Sequence, residues 1–325
     1  MIIFNSLNEI KNTDPAVVAL GNFDGIHRGH RSLIKTAVAQ AREKGVKSAV
    51  FTFQDHPRNV LAGEIVVRNI IYPDVKMELI RSLGVDYVFS IPFDDYIMHQ
   101  LPEAFVEEIM VGRFHAVGAV CGTNFTYGYK AGGNSEDLKK AGEKYGFDVT
   151  VMPMVMDGSE IVSSTLIRQC VAEGDMERAG DMLGRCYSIR GVVIRGNQLG
   201  RTIGFPTCNI SVDQTMVTPP NGVYFTRSLI DGEFYESITN VGNKPTVGIY
   251  GKNIETNILN FDREIYDHFI EVFFLKKHRD EVRFRGLDEL SAQLARDRAE
   301  ARLFLEAEKN ACDPGFAMQR AASLT

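Results

Sequence analysis

Tryptophan is absent from the 325 residues, and cysteine is scarce. The five cysteines, Cys121, Cys170, Cys186, Cys208 and Cys312, are odd in number and form no CxxC pair. Neither a disulfide framework nor a zinc site is therefore expected. No apolar run approaches the roughly 18 residues that a membrane-crossing helix needs. An excess of positive charge is missing as well. Lys plus Arg number 36 against 42 Asp plus Glu, a formal net charge of −6. The cations between Lys276 and Arg302 are interleaved with acids, so no basic stripe forms for nucleic acid or a membrane surface. Asn5, Asn8, Glu9 and Lys11 come too early for a signal-peptide core, which makes the cytoplasm the expected compartment. What remains is ordinary globular composition, 44% hydrophobic and 24% charged. At roughly 150 residues per domain, this length predicts about two domains.

The first half alternates strand and helix patterns. Apolar runs at 16–21, 48–53, 86–93, 116–121 and 148–152 read as five strands. Between them, 29–44, 73–83, 102–111 and a stretch opening at Ser135 read as helices. Leu33, Ile34, Ala37, Val38 and Ala41 recur at helical spacing, Pro73 suits a first helical turn, and Ser135 suits a cap. Regular βα alternation implies a parallel sheet covered by helices. Residues 163–183 read as helical. The character then changes, with short β-rich runs at 187–193, 222–229, 233–240, 254–260 and 269–274 and a turn signal at Asp231-Gly232. A last helix is expected over 288–309. The predicted division is 1–185, 186–310 and a loose tail at 311–325.

Gly21-Asn22-Phe23-Asp24-Gly25-Ile26-His27-Arg28-Gly29-His30 sits where the first of these strands meets the first helix. In an open α/β sheet that is a ligand crevice, and a helix N-terminus there offers N–H groups to phosphate. His27 and His30, three residues apart, can face one way on a first turn. Two imidazoles there suit stabilisation of charge on a transferring nucleotidyl group. The same histidines could instead ligate a metal with Asp24, or cap the helix.

This ten-residue pattern resembles the HxGH signature of nucleotidyltransferases. Its form is most similar to the adenylyltransferase module of prokaryotic bifunctional riboflavin kinase/FAD synthetases. Ile161-Val162-Ser163-Ser164-Thr165-Leu166-Ile167-Arg168 resembles that family's ISSTxIR block. Alone it would read as an N-cap; beside the histidines, its hydroxyls and arginine suit a triphosphate. The loop 122–128 is similar to a family loop in which the position of Asn124 contributes to the site. Residues 51–57 resemble TFxPHP, with Asp55 in place of a proline.

A second constellation opens the β-rich half. Gly200-Arg201-Thr202-Ile203-Gly204-Phe205-Pro206-Thr207-Cys208-Asn209 is not a Walker loop, because only three residues separate Gly196 from Gly200 and no lysine follows. Thr207 and Asn209 alternate along an extended segment, so both oxygens can face one side. Hard oxygens suit Mg²⁺ shared with ATP phosphates. The segment resembles the riboflavin kinase motif GRxxGFPTAN, with Cys208 in place of alanine. By the same resemblance Glu255 is the catalytic base. The family often has His at Asn257 and D-L-Y-G at 264–267, and this chain departs from both.

The resemblance implies a Rossmann-like α/β nucleotidyltransferase domain, then a six-stranded antiparallel β-barrel kinase domain with a C-terminal helix. Riboflavin and ATP would give FMN; FMN and ATP would give FAD and pyrophosphate. His27, His30 and Glu255 would be catalytic. Gly21, Asn22, Phe23, Asp24, Asn124, Ser164, Thr165, Arg168, Gly200 and Arg201 would bind nucleotide or phosphate, and Thr207 and Asn209 would hold Mg²⁺. The expected partners are the small molecules riboflavin, FMN and ATP, not nucleic acid or membrane, with a transient homo-oligomer left open. Competing readings are a single active module, either adenylyltransferase or kinase, and a non-catalytic flavin-binding protein.

Overall fold

A computed structural model describes residues 1–11, 13–196, 200, 203–246 and 249–307. Two compact units divide at Ser164/Thr165. In the first, strands β1 (Ile2–Phe4), β2 (Ala16–Leu20), β3 (Lys47–Phe53), β4 (Tyr87–Ile91), β5 (Ala116–Gly122) and β6 (Asp148–Met152) form one sheet. Its order is β1-β4-β3-β2-β5-β6, and every pairing is parallel. β2 is buried at every residue, which is why it reads as a continuous apolar run rather than an alternation. Helices α1 (Arg28–Lys44), α2 (Pro57–Ala62), α3 (Pro73–Ser82) and α4 (Ser135–Tyr145) accompany the sheet. After β2 the chain moves through β3 to β4 on one side, then returns to place β5 on the other side of β2. The crevice at the carboxyl ends of β2 and β5 is thus a topological switch point.

Sequence reasoning missed β1. Three residues are too few for a periodic signal, and Ile2 is 56% exposed. The cap of α4 is also one residue earlier than expected. The Asn134 side chain accepts from the N–H groups of Glu136 and Asp137, and Asp137 returns a bond to the Asn134 N–H, closing a capping box. Residues 102–111 are helical as expected, but Phe105–Val111 is wound as a π-helix.

The division falls just inside α5 (Ser164–Glu173), after its first residue, and α6 (Met176–Leu183) follows in the second unit. The change of residue character near 184–186 lies after these helices, whereas the division into units falls at the start of α5. α6 packs on barrel strands, burying Met176, Ala179, Met182 and Leu183. The barrel strands are β7 (Tyr187–Ile194), β8 (Cys208–Ile210), β9 (Gly222–Ile230), β10 (Glu233–Thr246), β11 (Ile249–Ile258) and β12 (Phe269–Arg279). They close in the order β7-β8-β11-β10-β9-β12, and every pairing is antiparallel. Asp231 (φ 49°) and Gly232 (φ 84°) both have positive φ, as a type I′ hairpin between β9 and β10 demands. Inside, the fully buried hydroxyls of Ser228, Ser237, Thr226, Thr239 and Thr256 bond in one chain at 2.8–2.9 Å. Each of these five hydroxyls is thereby satisfied. The C-terminal helix α7 (Leu287–Ala307) buries Asp297, Ala301 and Leu305.

Cys121, Cys170 and Cys208 are buried free thiols. The expected tail at 311–325 lies outside the described residues.

Candidate functional site

The glycine-rich loop after β2 crosses the switch point. Phe23 (φ 53°), Gly25 (φ 85°) and Ile26 (φ 41°) all have positive φ. For the two side-chain-bearing residues that is a strained conformation, held by the surrounding contacts. A Cβ on Gly21 would lie 3.0 Å from the Phe23 ring, so the ring packs back over its own loop. Asp24 is buried, and its carboxylate accepts the Ile70 N–H at 3.0 and 3.3 Å. The Asp24 carbonyl accepts from the Ser164 hydroxyl at 2.8 Å.

The two histidines divide their roles. His27 is the N-cap of α1, and its Nδ1 accepts the His30 N–H at 3.3 Å. The cap reading therefore holds for His27. The two rings stack with centroids 3.6 Å apart, and the Phe23 ring stands edge-on to His30 at 5.2 Å. The His30 Nδ1 is buried without a hydrogen-bond partner. Burial, then His27, then Lys76 push the His30 imidazolium well below its ordinary pKa, so the ring is neutral near pH 7. Among the described residues, no group of three His, Cys, Asp or Glu side chains is placed to hold a metal, which counts against a His27–His30–Asp24 metal centre.

Asn124 stands exposed at the carboxyl end of β5, where a Cβ on Gly122 would approach its Oδ1 to 3.1 Å. Gly21, Asn22, Phe23, Asp24, His27, His30, Asn124 and Ser164 all belong to the first unit, with His30 on the first turn of α1 and Ser164 at the start of α5. Thr165 and Arg168 lie on α5, beyond the division between units. Of the unusual 51–57 segment, His56 accepts the Arg58 N–H at 3.2 Å and caps α2, with Pro57 in its first turn. Gln54 ties the end of β3 to the Ser90 carbonyl at 2.8 Å.

In the second unit, β8 and β11 pair so that Asn209 is directly opposite Glu255. Asn240 on β10 is opposite Glu255 from the other side. Direct cross-strand partners share a face, so one row carries Asn209, Glu255 and Asn240. The Glu255 carboxylate accepts from the Asn253 amide at 2.7 Å. Asn209 is 4% exposed, and its Oδ1 has no hydrogen-bond partner. A buried carbonyl oxygen left unpaired costs about 1–3 kcal/mol, so this atom suits an electropositive ligand such as Mg²⁺. A Cβ on Gly196 would collide with the Asn209 carboxamide, and one on Gly200 would collide with the Phe205 carbonyl. Both glycines are therefore required by close backbone approach. Thr207 is exposed beside Asn209, and Arg201 lies outside the described residues.

A cavity of about 430 Å³ is lined among others by Val193, Thr207, Cys208, Thr256, Phe261 and Tyr266; Cys208 and Thr256, each one residue along the strand from Asn209 and Glu255, face the opposite side. The size of the cavity suits a small ligand. Burial pushes the Cys208 thiol up to about 12, so it is a small apolar wall and not a nucleophile. Asn257, one of the departures from the family pattern, donates to the Pro206 carbonyl at 2.6 Å and accepts from Arg298 at 3.3 Å. Arg298 in turn lies 4.3 Å from the centre of the Phe205 ring. Asn257 thereby ties the 200–209 segment to α7. Sequence reasoning missed this tie, along with Lys76 and Thr52 beneath the first loop. A lysine on the same buried stripe as Val75, Leu79 and Ile80 was the available signal for Lys76.

Fold and site together define a two-part, nucleotide-handling class: an HxGH loop at the switch point of a parallel sheet, and a closed barrel that carries an oxygen-lined row and a pocket. The FAD synthetase family model matches residues 9–166 and the riboflavin kinase family model matches residues 183–305. A bifunctional riboflavin kinase/FMN adenylyltransferase of Bacillus subtilis is 35% identical over 297 residues, 88% of this chain and 91% of that protein. Its counterpart in Listeria monocytogenes is 37% identical over 290 residues, 89% and 92% of the two chains. A solved structure from Streptococcus pneumoniae, described as a macrolide-efflux protein, superposes with a TM-score of 0.85 at 30% identity, covering 92% of this chain and 98% of that one. Among the described residues, no helix of this chain is long and apolar enough to cross a membrane. The chain belongs to the bifunctional riboflavin kinase/FMN adenylyltransferase family.

Proposed function

We propose that this chain carries out both reactions of that family: it phosphorylates riboflavin with ATP to FMN, then adenylates FMN with a second ATP to FAD and pyrophosphate. The kinase step belongs to residues 186–310 and the adenylyl step to residues 1–185. The observation that carries the reading is the barrel register that sets Glu255 opposite Asn209. A carboxylate able to take a proton from the ribityl hydroxyl thus lies beside an unpaired hard oxygen. The hydroxyl oxygen attacks the γ-phosphorus of ATP, its proton passes to Glu255, and ADP leaves. Thr207 and Asn209 would hold Mg²⁺, which, when bound, neutralises charge on the ATP phosphates. Gly200 and Arg201 would lie against those phosphates.

In the adenylyl step a phosphate oxygen of FMN displaces pyrophosphate from the α-phosphorus of ATP. Such transfers depend on positioning and charge rather than on covalent help. Gly21, Asn22, Phe23 and Asp24 would supply backbone close to the phosphates. His27 and His30 would face them, with Asn124, Ser164, Thr165 and Arg168 around the nucleotide. The reactants are small molecules, and the expected compartment is the cytoplasm.

The test is a time course of purified protein with riboflavin, ATP and Mg²⁺, with the flavins separated chromatographically. FMN rising before FAD is the expected result. FMN alone would leave the first module without its activity. No conversion from either riboflavin or FMN would overturn the enzymatic reading in favour of a flavin-binding protein.

A further inference from the structure

Lys76 is a charged side chain in the core of the first unit. It lies on α3 among the buried residues Val75, Leu79 and Ile80 and is only 8% exposed. Its ammonium donates to the Asn22 carbonyl at 2.7 Å, the Thr52 hydroxyl at 2.7 Å and the Phe53 carbonyl at 3.3 Å. An ammonium has three protons, so the group is fully satisfied. Thr52 is itself fully buried, and its hydroxyl donates to the same Asn22 carbonyl at 2.9 Å.

Two buried donors on one loop carbonyl is an expensive arrangement, because a buried ammonium loses its hydration. A well-packed methionine would satisfy the core at that position. The arrangement has a consequence for the loop above it. In a trans peptide the C=O and N–H point to opposite sides. With the Asn22 oxygen pulled inward, the N–H of Phe23 is turned to the opposite side, away from Lys76. Phe23 holds the positive φ of 53° that this orientation accompanies. Backbone N–H groups set in this way bind anions.

We infer that Lys76 is a positioning residue for adenylyl transfer: with Thr52 it locks the Asn22–Phe23 peptide so that the loop presents its N–H to the phosphate being attacked, and its charge sits directly beneath. The inference rests on the proposed adenylyltransferase reading of this site. Lys76 transfers no proton and touches no substrate atom. The Asp24 carboxylate favours the charged form of Lys76, whose charge in turn disfavours protonation of the nearby His30 ring. Burial brings its pKa down to about 8, so the cation persists at neutral pH.

The test compares wild type with Lys76→Met, Lys76→Arg and Thr52→Val, using the full chain. FMN-to-FAD conversion is measured as kcat and KM for ATP, with riboflavin phosphorylation followed on the same samples. Removing one preorganised donor at developing charge typically costs about 10²–10³ in kcat. Lys76→Met is expected to lower kcat for FAD formation about 100-fold, with KM for ATP within about threefold. Riboflavin phosphorylation should be unchanged, and Lys76→Arg should recover part of the loss. Thr52→Val, which leaves the ammonium in place, should lower kcat about tenfold. Retention of kcat within about threefold in Lys76→Met, or a rise in KM with kcat unchanged, would overturn the inference. Should Lys76→Met lose its near-UV circular dichroism, Thr52→Val decides: an unchanged kcat there overturns it. Failure of the wild type to form FAD would instead overturn the reading on which the inference rests.

Discussion

Replacing Asp297 with alanine should unfold the barrel unit at a markedly lower temperature. Asp297 sits on α7 and is 1% exposed. Its carboxylate accepts from Arg279 at the end of β12, Nε to Oδ1 at 3.0 Å and Nη2 to Oδ2 at 2.6 Å. Gln293 adds a bond at 2.8 Å, and His278 lies 3.4 Å away, stacked on Phe225. Bidentate pairing of this kind fixes geometry as well as charge. Removing one partner of a buried pair costs about 3–5 kcal/mol, because the other charge is left uncompensated. For a unit of this size, about 2–4 °C of Tm accompanies each kcal/mol, which gives a drop of roughly 6–20 °C. Burial alone would raise the Asp297 carboxyl, but the Arg279 hydrogen bonds, then Gln293 and the charges of Arg279 and His278, hold it below its ordinary value. A depressed folded-state pKa means that its stabilisation is complete above the unfolded value near pH 3.8 and is lost as pH falls through the folded one. The assay is thermal unfolding of wild type, Asp297→Ala, Arg279→Met and the double variant, from pH 3 to pH 8. The single variants should lose stability at pH 7, and the double variant should recover much of it. A Tm shift under about 2 °C for Asp297→Ala, or additive losses in the double variant, would refute the clamp.

Changing His27 and His30 together to alanine should abolish FAD formation while riboflavin phosphorylation continues, as read from the two products in one incubation. Glu255→Gln should lower FMN formation about 10²–10⁴-fold, and Asn209→Ala should likewise suppress it. In both, FMN supplied directly should still become FAD. Burial pushes the Cys121 thiol up to about 11 and the Cys208 thiol up to about 12. A thiol reagent at pH 8 should therefore label neither residue in the folded protein, and mass spectrometry should find both labelled after denaturation.

Much of this architecture can be read from sequence because it rests on local signals. β2 is a wholly apolar run, α1 carries its apolar residues at helical spacing, and Asp231-Gly232 announces its hairpin. Signals failed where they were short or nonlocal. β1 owes its place to pairing with β4 over three residues, from Ile2 to Phe4. α5 and α6 read as a continuation of the first half, yet α6 buries its apolar face on barrel strands. The π-helix at Phe105–Val111 has the same hydrophobic content as an α-helix, so composition does not distinguish the two.

The residues of the two sites divide in the same way. Motif spacing picks out His27, His30, Thr207 and Asn209, because glycine placement and side-chain chemistry are local properties, whereas Glu255 is marked only by resemblance to the riboflavin kinase family. Only the folded chain decided that Asn209 faces Glu255, since cross-strand register is set by pairings between segments some 46 residues apart. It also decided that His27 caps while His30 stays neutral with an unpaired Nδ1, because burial is a property of the whole unit. Lys76 shows the limit most clearly. In sequence it is one lysine on a helix; in the structure it is a buried cation bonded to the Asn22 carbonyl of the glycine-rich loop, because only tertiary packing takes it out of water.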